Sequence, residues 1–382
     1  MQHPPTLSPF LSRKFRFWSF VSMVLLVFVH GYTVEPRYLQ PWTLPQELPL
    51  GLTSFTEYLL SNGLLRFRIP MLFAISGYLF ALHDAQPHGQ RLQKRVRTLL
   101  LPYFAWSGLM LLFIYVLEMH PTPRAWLVDN GLNQMNDTKV LLHDFAWDDW
   151  MVRWLWVPAP YQLWFLRALF VLNLVYPLIR RAVAAPKGRW LFLVVAGLLW
   201  LGDIGLPFME GEGLLFFALG VWLCKAGVDV QVPPPWLRPW RWALLWLATG
   251  CAKTWLAFAG FELAGESVYP LMAMLHKLCI LAGLVAAWYG GDALVRACMA
   301  RPWFVWLSAF SFFIYATHAP MVAVLINPTL RALDHWPDPH LATYLLLPLG
   351  LIAVAVLLGA VLRSVSPTVY GWLTGGRGMP RT

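Results

Sequence analysis

The chain has 382 residues, of which 58% are hydrophobic and only 13% charged. Ordinary soluble domains carry about a quarter charged residues, so a soluble globular protein is excluded. The net charge of +10 falls between apolar runs and reads as membrane topology and contact with anionic lipid, not as nucleic-acid binding. Cys224, Cys251, Cys279 and Cys298 form no C-x-x-C pair and indicate neither a disulfide framework nor a metal site.

A helix needs roughly 20 residues to cross about 30 Å of hydrocarbon. Ten apolar runs near that length follow in order, at about 15–34, 60–82, 99–118, 161–180, 189–206, 212–226, 239–258, 268–289, 303–325 and 342–363. The predicted fold class is therefore all-α, a polytopic transmembrane helical bundle of about ten spans. One membrane domain over 1–382, with no fused soluble domain, is the expected organisation. The first run follows Arg13, Lys14 and Arg16 without an A-x-A cleavage pattern, so it reads as a retained span.

Positive residues at span ends mark the cytoplasmic side. With the N-terminus placed inside, only Arg37, Arg124, Lys139, Arg153 and Arg331 fall in outer segments, which predicts cytoplasmic N- and C-termini. Two outer loops are long. Residues 35–59 are rich in proline, and 119–160 include "HDFAWDDWMVRWLWVP". There Trp147, Trp150, Trp154 and Trp156 fit an interfacial helix with an aromatic belt, or indoles that hold a sugar ring.

Ionisable groups at bilayer depth are costly and mark function by default. Arg66, Arg68, Arg167, Lys253 and Lys277 lie within or at the edge of spans, together with His30, His276 and His318. At about 1.5 Å per residue, His30 and His318 reach similar levels in the outer half, where Arg66, Arg68 and Arg167 begin inward-running spans. Arg66 and Arg68 are two apart and cannot share one helical face. Arg68, which opens "RIPMLFAISGYL", is the one expected to point inward. Arg66, Arg167 and Lys253 can instead snorkel to headgroups, and His276 can be a packing residue.

A buried neutral imidazole suits general-base chemistry on a hydroxyl. No G-x-S-x-G, no H-E-x-x-H and no glycine-rich phosphate loop competes with that reading, and no metal is expected. The inner stretch "RLQKRVRTLLLPY" has the basic groups to hold phosphates.

Four segments carry a family resemblance: "FRFWSFVSMVLLVFVHGY", "RIPMLFAISGYLFA" with "KRVRTLLLPYFAW", "LWFLRALFVLNLVYP", and "AFSFFIYATHAPMV". In this order, over about residues 13–325, the chain resembles the membrane acyltransferase-3 family, which O-acylates extracytoplasmic glycans using cytoplasmic acyl-CoA. The resemblance implies His30 as catalytic base. It places Arg68 before "SGY", Arg95 and Arg97 in the basic run, Trp164 and Arg167 in "WFLR", and His318 in "IYxxH". Many members carry an arginine eleven residues before the histidine. Here that position is Ser19, and Arg16 is the nearest basic residue.

The expected function is an acyl-CoA-dependent O-acyltransferase, with acetyl-CoA as the first donor to consider and no resident cofactor. His30, Arg68 and His318 are the expected catalytic residues. Arg16, Lys94, Arg95 and Arg97 are expected to bind the donor, and Trp164 and Arg167 the acceptor. Expected partners are a polysaccharide or lipid-linked sugar, membrane lipids and polysaccharide-assembly proteins, in a bacterial inner membrane. The alternatives are a transporter or flippase of a glycolipid or small anion, and a histidine-bearing acyltransferase that modifies a protein or lipid.

Overall fold

The computed structural model describes residues 7–45, 49–129, 140–206 and 208–379; Lys139 lies outside them. Helix α1 (Pro9–His30) starts where the Ser8 hydroxyl accepts from Leu11 N and Pro9 occupies the first turn. Next, α2 (Leu52–Tyr58) passes through a π turn (Leu59–Gly63) and a 3₁₀ turn (Leu64–Phe67) into α3 (Arg68–Leu82). Helix α4 (His88–Arg95) likewise continues through a π turn into α5 (Leu101–Glu118). On the far side lie α6 (Pro121–Asp129) and α7 (Trp147–Leu155). Helix α8 (Trp164–Leu174) bends by 61° into α9 (Tyr176–Ala184).

Helix α10 (Gly188–Leu201) leads through a two-stranded ribbon, β1 (Gly205–Leu206) and β2 (Met209–Glu210), to α11 (Gly211–Lys225). A hairpin of α12 (Pro239–Ala264) and α13 (Val268–Gly290) follows, turning at Gly265 with φ 52°. The chain ends with α14 (Asp292–Met299), α15 (Pro302–Leu307), α16 (Ser311–Ala332), α17 (Pro339–Val365) and α18 (Pro367–Thr374).

This is a multi-pass membrane protein. Leu52–Leu82, His88–Glu118, Pro239–Gly290, Pro302–Ala332 and Pro339–Val365 are each long and apolar enough to cross a membrane, and the bent pair α8–α9 makes a sixth. Other runs counted in the sequence are helical but fall short of that standard. Helices α10 and α11 have 14 and 15 residues, and α1 carries three charges, Arg13, Lys14 and Arg16, in its first half. Leu346, Leu349, Leu357 and Leu358 of α17 are exposed, as expected of a surface that faces lipid.

Small residues set the closest helix approach. A Cβ on Gly77 would lie 2.1 Å from Phe217 O, and one on Gly220 would lie 2.0 Å from Ala74 O. Helices α3 and α11 therefore touch backbone to backbone, which explains the glycine of "SGY". Helix α1 packs on α16, α3 and α17, and its Lys14 pairs with Asp292 at 2.6 Å beneath the Trp288 ring. At the far end of α3, Asp84 ties three segments together. It pairs with Arg91 at 3.1 Å, Arg180 at 3.3 Å and Lys225, and accepts from Tyr176 Oη at 2.6 Å.

Candidate active site

His30 is the last residue of α1, where the helix gives way to Gly31. A Cβ at Gly31 would meet Pro348 Cγ of α17 at 2.8 Å, so the chain leaves the helix in close contact with that proline. The imidazole is half-buried, and its Nδ1 lies 2.8 Å from the Tyr161 hydroxyl. Tyr161 opens a 3₁₀ turn (Tyr161–Leu163) just after the prolines of "VPAPYQLW".

The neighbouring Gln162 fixes that turn against α16. Pro320 has no N–H to offer to Ala316 O, four residues back, so that carbonyl has no partner within the helix. Gln162 Nε2 donates to it at 2.9 Å, and Tyr315 Oη donates back to Gln162 O at 2.6 Å. This latch holds Tyr161 within reach of His30 and keeps His318, two residues before the proline, beside it. The two imidazole centroids are 5.3 Å apart.

His318 has a defined tautomer. Its Nδ1 faces Tyr315 O at 2.9 Å and Ile314 O at 3.2 Å. Carbonyls only accept, so Nδ1 carries the hydrogen and Nε2 of the neutral ring is a lone-pair acceptor. That Nε2 is buried and has no partner among the described residues.

His30 also lines a cavity of 290 Å³, together with Arg66, Arg68, Tyr161, Trp164 and Glu212. His318 does not line it and stands behind His30. Arg68 is 3% exposed; its Nη1 donates to Leu65 O at 2.8 Å, and its Nε is buried without a partner among the described residues. Glu210 and the ion pair of Lys277 with Asp203 also line the cavity.

Arg66 lines the same cavity as Arg68, which corrects the expectation that only one of them would do so. A continuous α-helix would turn them to different faces, but Arg66 lies in the 3₁₀ turn and Arg68 starts α3. Arg66 does not snorkel either. The π turn frees backbone carbonyls, and Arg66 Nε donates to Ser61 O at 2.8 Å while Nη2 donates to Leu39 O at 2.9 Å. Lys253 is fully buried, and its Nζ donates to Asn62 O at 2.6 Å; His276 Nδ1 meets the same oxygen at 3.3 Å. Arg66 and Lys253 thus donate to two carbonyls of the break, Ser61 O and Asn62 O.

The remaining expected site residues lie elsewhere. Trp164 lines the cavity, but Arg167 donates to Trp156 O, packs over Phe208 and is not in the wall. Arg16 faces the opposite end of α1, where Nε donates to Ser308 Oγ at 2.8 Å and Nη2 to Val305 O at 2.6 Å. Lys94 and Arg97 are exposed, and Arg95 sits over the Phe80 ring at 5.4 Å. Tyr161, Gln162 and Glu212 were missed by sequence reasoning. Their signals were a polar pair following two prolines, and an acid beginning an otherwise apolar helix.

Residues 15–363 match the acyltransferase-3 family model, described as an acyltransferase domain. The chain belongs to the membrane acyltransferase-3 family. A curated relative, the succinoglycan biosynthesis protein ExoH of Rhizobium meliloti (strain 1021), is 26% identical over 334 residues, covering 86% of this chain and 84% of its own length. No solved structure matches the chain. As a member of this family the protein is an acyltransferase, and its matched segment contains the two histidines, Arg68 and the cavity wall described above.

Proposed function

We propose that this acyltransferase moves an acyl group, acetyl being the first to test, from cytoplasmic acyl-CoA to a hydroxyl of an extracytoplasmic polysaccharide or lipid-linked sugar. The setting is a bacterial inner membrane, crossed about ten times by one domain with both termini cytoplasmic. The observation that carries the reading is a paired histidine site, His30 bonded to Tyr161 with the tilted ring of His318 5.3 Å away, opening onto a cavity that Arg68 lines. The relative's role in succinoglycan biosynthesis supports a polysaccharide acceptor.

The geometry supports the following roles. When Nδ1 of His30 donates to the Tyr161 oxygen, Nε2 is left as the base that takes the proton of the acceptor hydroxyl. The hydroxyl oxygen then attacks the thioester carbonyl, the carbon–sulfur bond breaks, and the proton held by His30 goes to the departing CoA thiolate. Arg68 has an unused buried N–H with which to steady the oxyanion that develops on the carbonyl. His318 sits behind His30 and orients it, while Trp164 offers the acceptor ring an aromatic face.

The test is thiol release from acetyl-CoA by purified protein in nanodiscs, with and without an extracytoplasmic glycan extract, comparing wild type with His30→Ala. Glycan-dependent release that disappears in the variant is the expected result. Undiminished release by a folded His30→Ala protein would refute the assignment of the base.

A further inference from the structure

Beyond residue 363, where the family match ends, the chain runs through α18 and turns beneath the bundle. Two glycines permit this path. Gly375 has φ 62°, and a Cβ there would lie 2.7 Å from Thr98 Cα; Gly378 has φ 76°, and its Cβ would lie 2.2 Å from Ala309 O. Arg363 Nη1 holds the tail by donating to Gly378 O at 3.0 Å. Only residues without a side chain fit so close at positive φ.

Between these glycines the tail places Arg377. Its Nη1 donates to Thr98 O at 2.6 Å and Thr374 O at 3.0 Å, and its guanidinium lies 4.6 Å from the Phe312 ring centroid. Burial, with the charge of Arg95 close by, pushes the Arg377 guanidinium down to about 10. Among the described residues no carboxylate pairs with Arg377 or Arg95, whereas Asp84 is shared by Arg91, Arg180 and Lys225. The Thr98 hydroxyl at the same place is buried and has no partner among the described residues.

Two neighbouring guanidiniums without a counter-charge are costly to bury, and their planar N–H groups match phosphate oxygens. We infer that Arg377 and Arg95, with the Thr98 hydroxyl, form a phosphate site for the nucleotide end of the acyl donor. The inference rests on the donor assignment proposed above. Phosphate is also carried by inner-leaflet lipid heads, but the position favours the donor. Phe312, under Arg377, is six residues before His318 on α16, about 9 Å along the axis, and Tyr315 between them lines the cavity. A donor gripped here needs a linker of at least that length between phosphate and acyl group, which CoA has and an acyl phosphate lacks.

The test has two arms. In the first, kcat/KM is measured for acetyl-CoA and for acetyl-pantetheine, which has no phosphate, with wild type, Arg377→Gln and Arg377→Lys. Losing a charge-assisted contact should lower the ratio of the two constants about 10- to 100-fold in Arg377→Gln, with partial recovery in Arg377→Lys. An equal fall on both donors would overturn the site and leave a structural role. In the second, adenosine 3′,5′-bisphosphate binding is measured by calorimetry, so the site is tested even if no donor turns over. Weaker binding to Arg377→Gln is expected. No binding to either protein, or stabilisation by phosphatidylglycerol vesicles alone, would overturn it. Loss of turnover with retained bisphosphate binding would refute the proposed function and not the site.

Discussion

Tyr161 Oη and His30 Nδ1 are 2.8 Å apart, although 131 residues separate them in sequence. The bond selects one His30 nitrogen as the partner of the phenol and leaves the other for the acceptor. Tyr161→Phe keeps the ring and removes the bond, so kcat should fall by about tenfold, the order of one hydrogen bond. His30→Ala should cost about 10²- to 10⁴-fold, the usual contribution of a general base. Both are read as glycan-dependent thiol release, with melting temperature as the control for folding.

The latch between Gln162 and Ala316 O exists because Pro320 withholds an N–H. Gln162→Leu leaves a buried carbonyl without a partner and should cost about 1–3 kcal/mol. In a Pro320→Ala background the new N–H can reach Ala316 O, so the same substitution should cost less. A double-mutant cycle on thermal unfolding measures the difference, and equal costs in both backgrounds would remove the proline from the explanation.

Much of this site was legible in the sequence, for a physical reason. Ionisable residues in apolar runs are conspicuous, and helical rise alone placed His30, His318 and Arg68 at one level. What the sequence could not reveal was what interrupts a helix. The π and 3₁₀ turns over 59–67 contain no proline, so the sequence predicts one unbroken α-helix through Arg66 and Arg68. Lys253, which from sequence alone can snorkel to the headgroups, is buried and donates to Asn62 O. Arg167 sits in the family's motif, yet its guanidinium is held outside the cavity by Trp156 O and Phe208. The span count was least legible, because short helices such as α10 and the long hairpin of α12 and α13 read alike as apolar runs.

The crossing of α3 and α11 makes a prediction about fold alone. A methyl on Gly77 must displace Phe217 O, which a Cβ would approach to 2.1 Å. Gly77→Ala should therefore destabilise the protein by at least the roughly 1–3 kcal/mol of an overpacked core. Gly197→Ala, on α10 with nothing within 4 Å of its Cβ, should be tolerated. Detergent-resistant melting of the two variants side by side checks this.

Acid sensitivity should trace in part to Asp84. Burial opposes its charged form, but Lys225, the Tyr176 hydroxyl and Arg180 outweigh it and hold the carboxyl below its ordinary range. A carboxyl with a depressed folded value binds fewer protons in the folded chain than in the unfolded one, so unfolding takes up a proton. Its contribution is complete above the unfolded value of about 4, and it disappears as pH falls through the folded value. Asp84→Asn leaves Arg91, Arg180 and Lys225 without their shared counter-ion, and should be the less stable protein at pH 7 by about 1–3 kcal/mol. That gap should narrow as the wild type is acidified below pH 4, first as the unfolded carboxyl becomes neutral and then as the folded one does. Melting curves in nanodiscs from pH 7 to pH 3 would settle it: a gap that stays constant would mean that the three cations do not depend on the Asp84 charge.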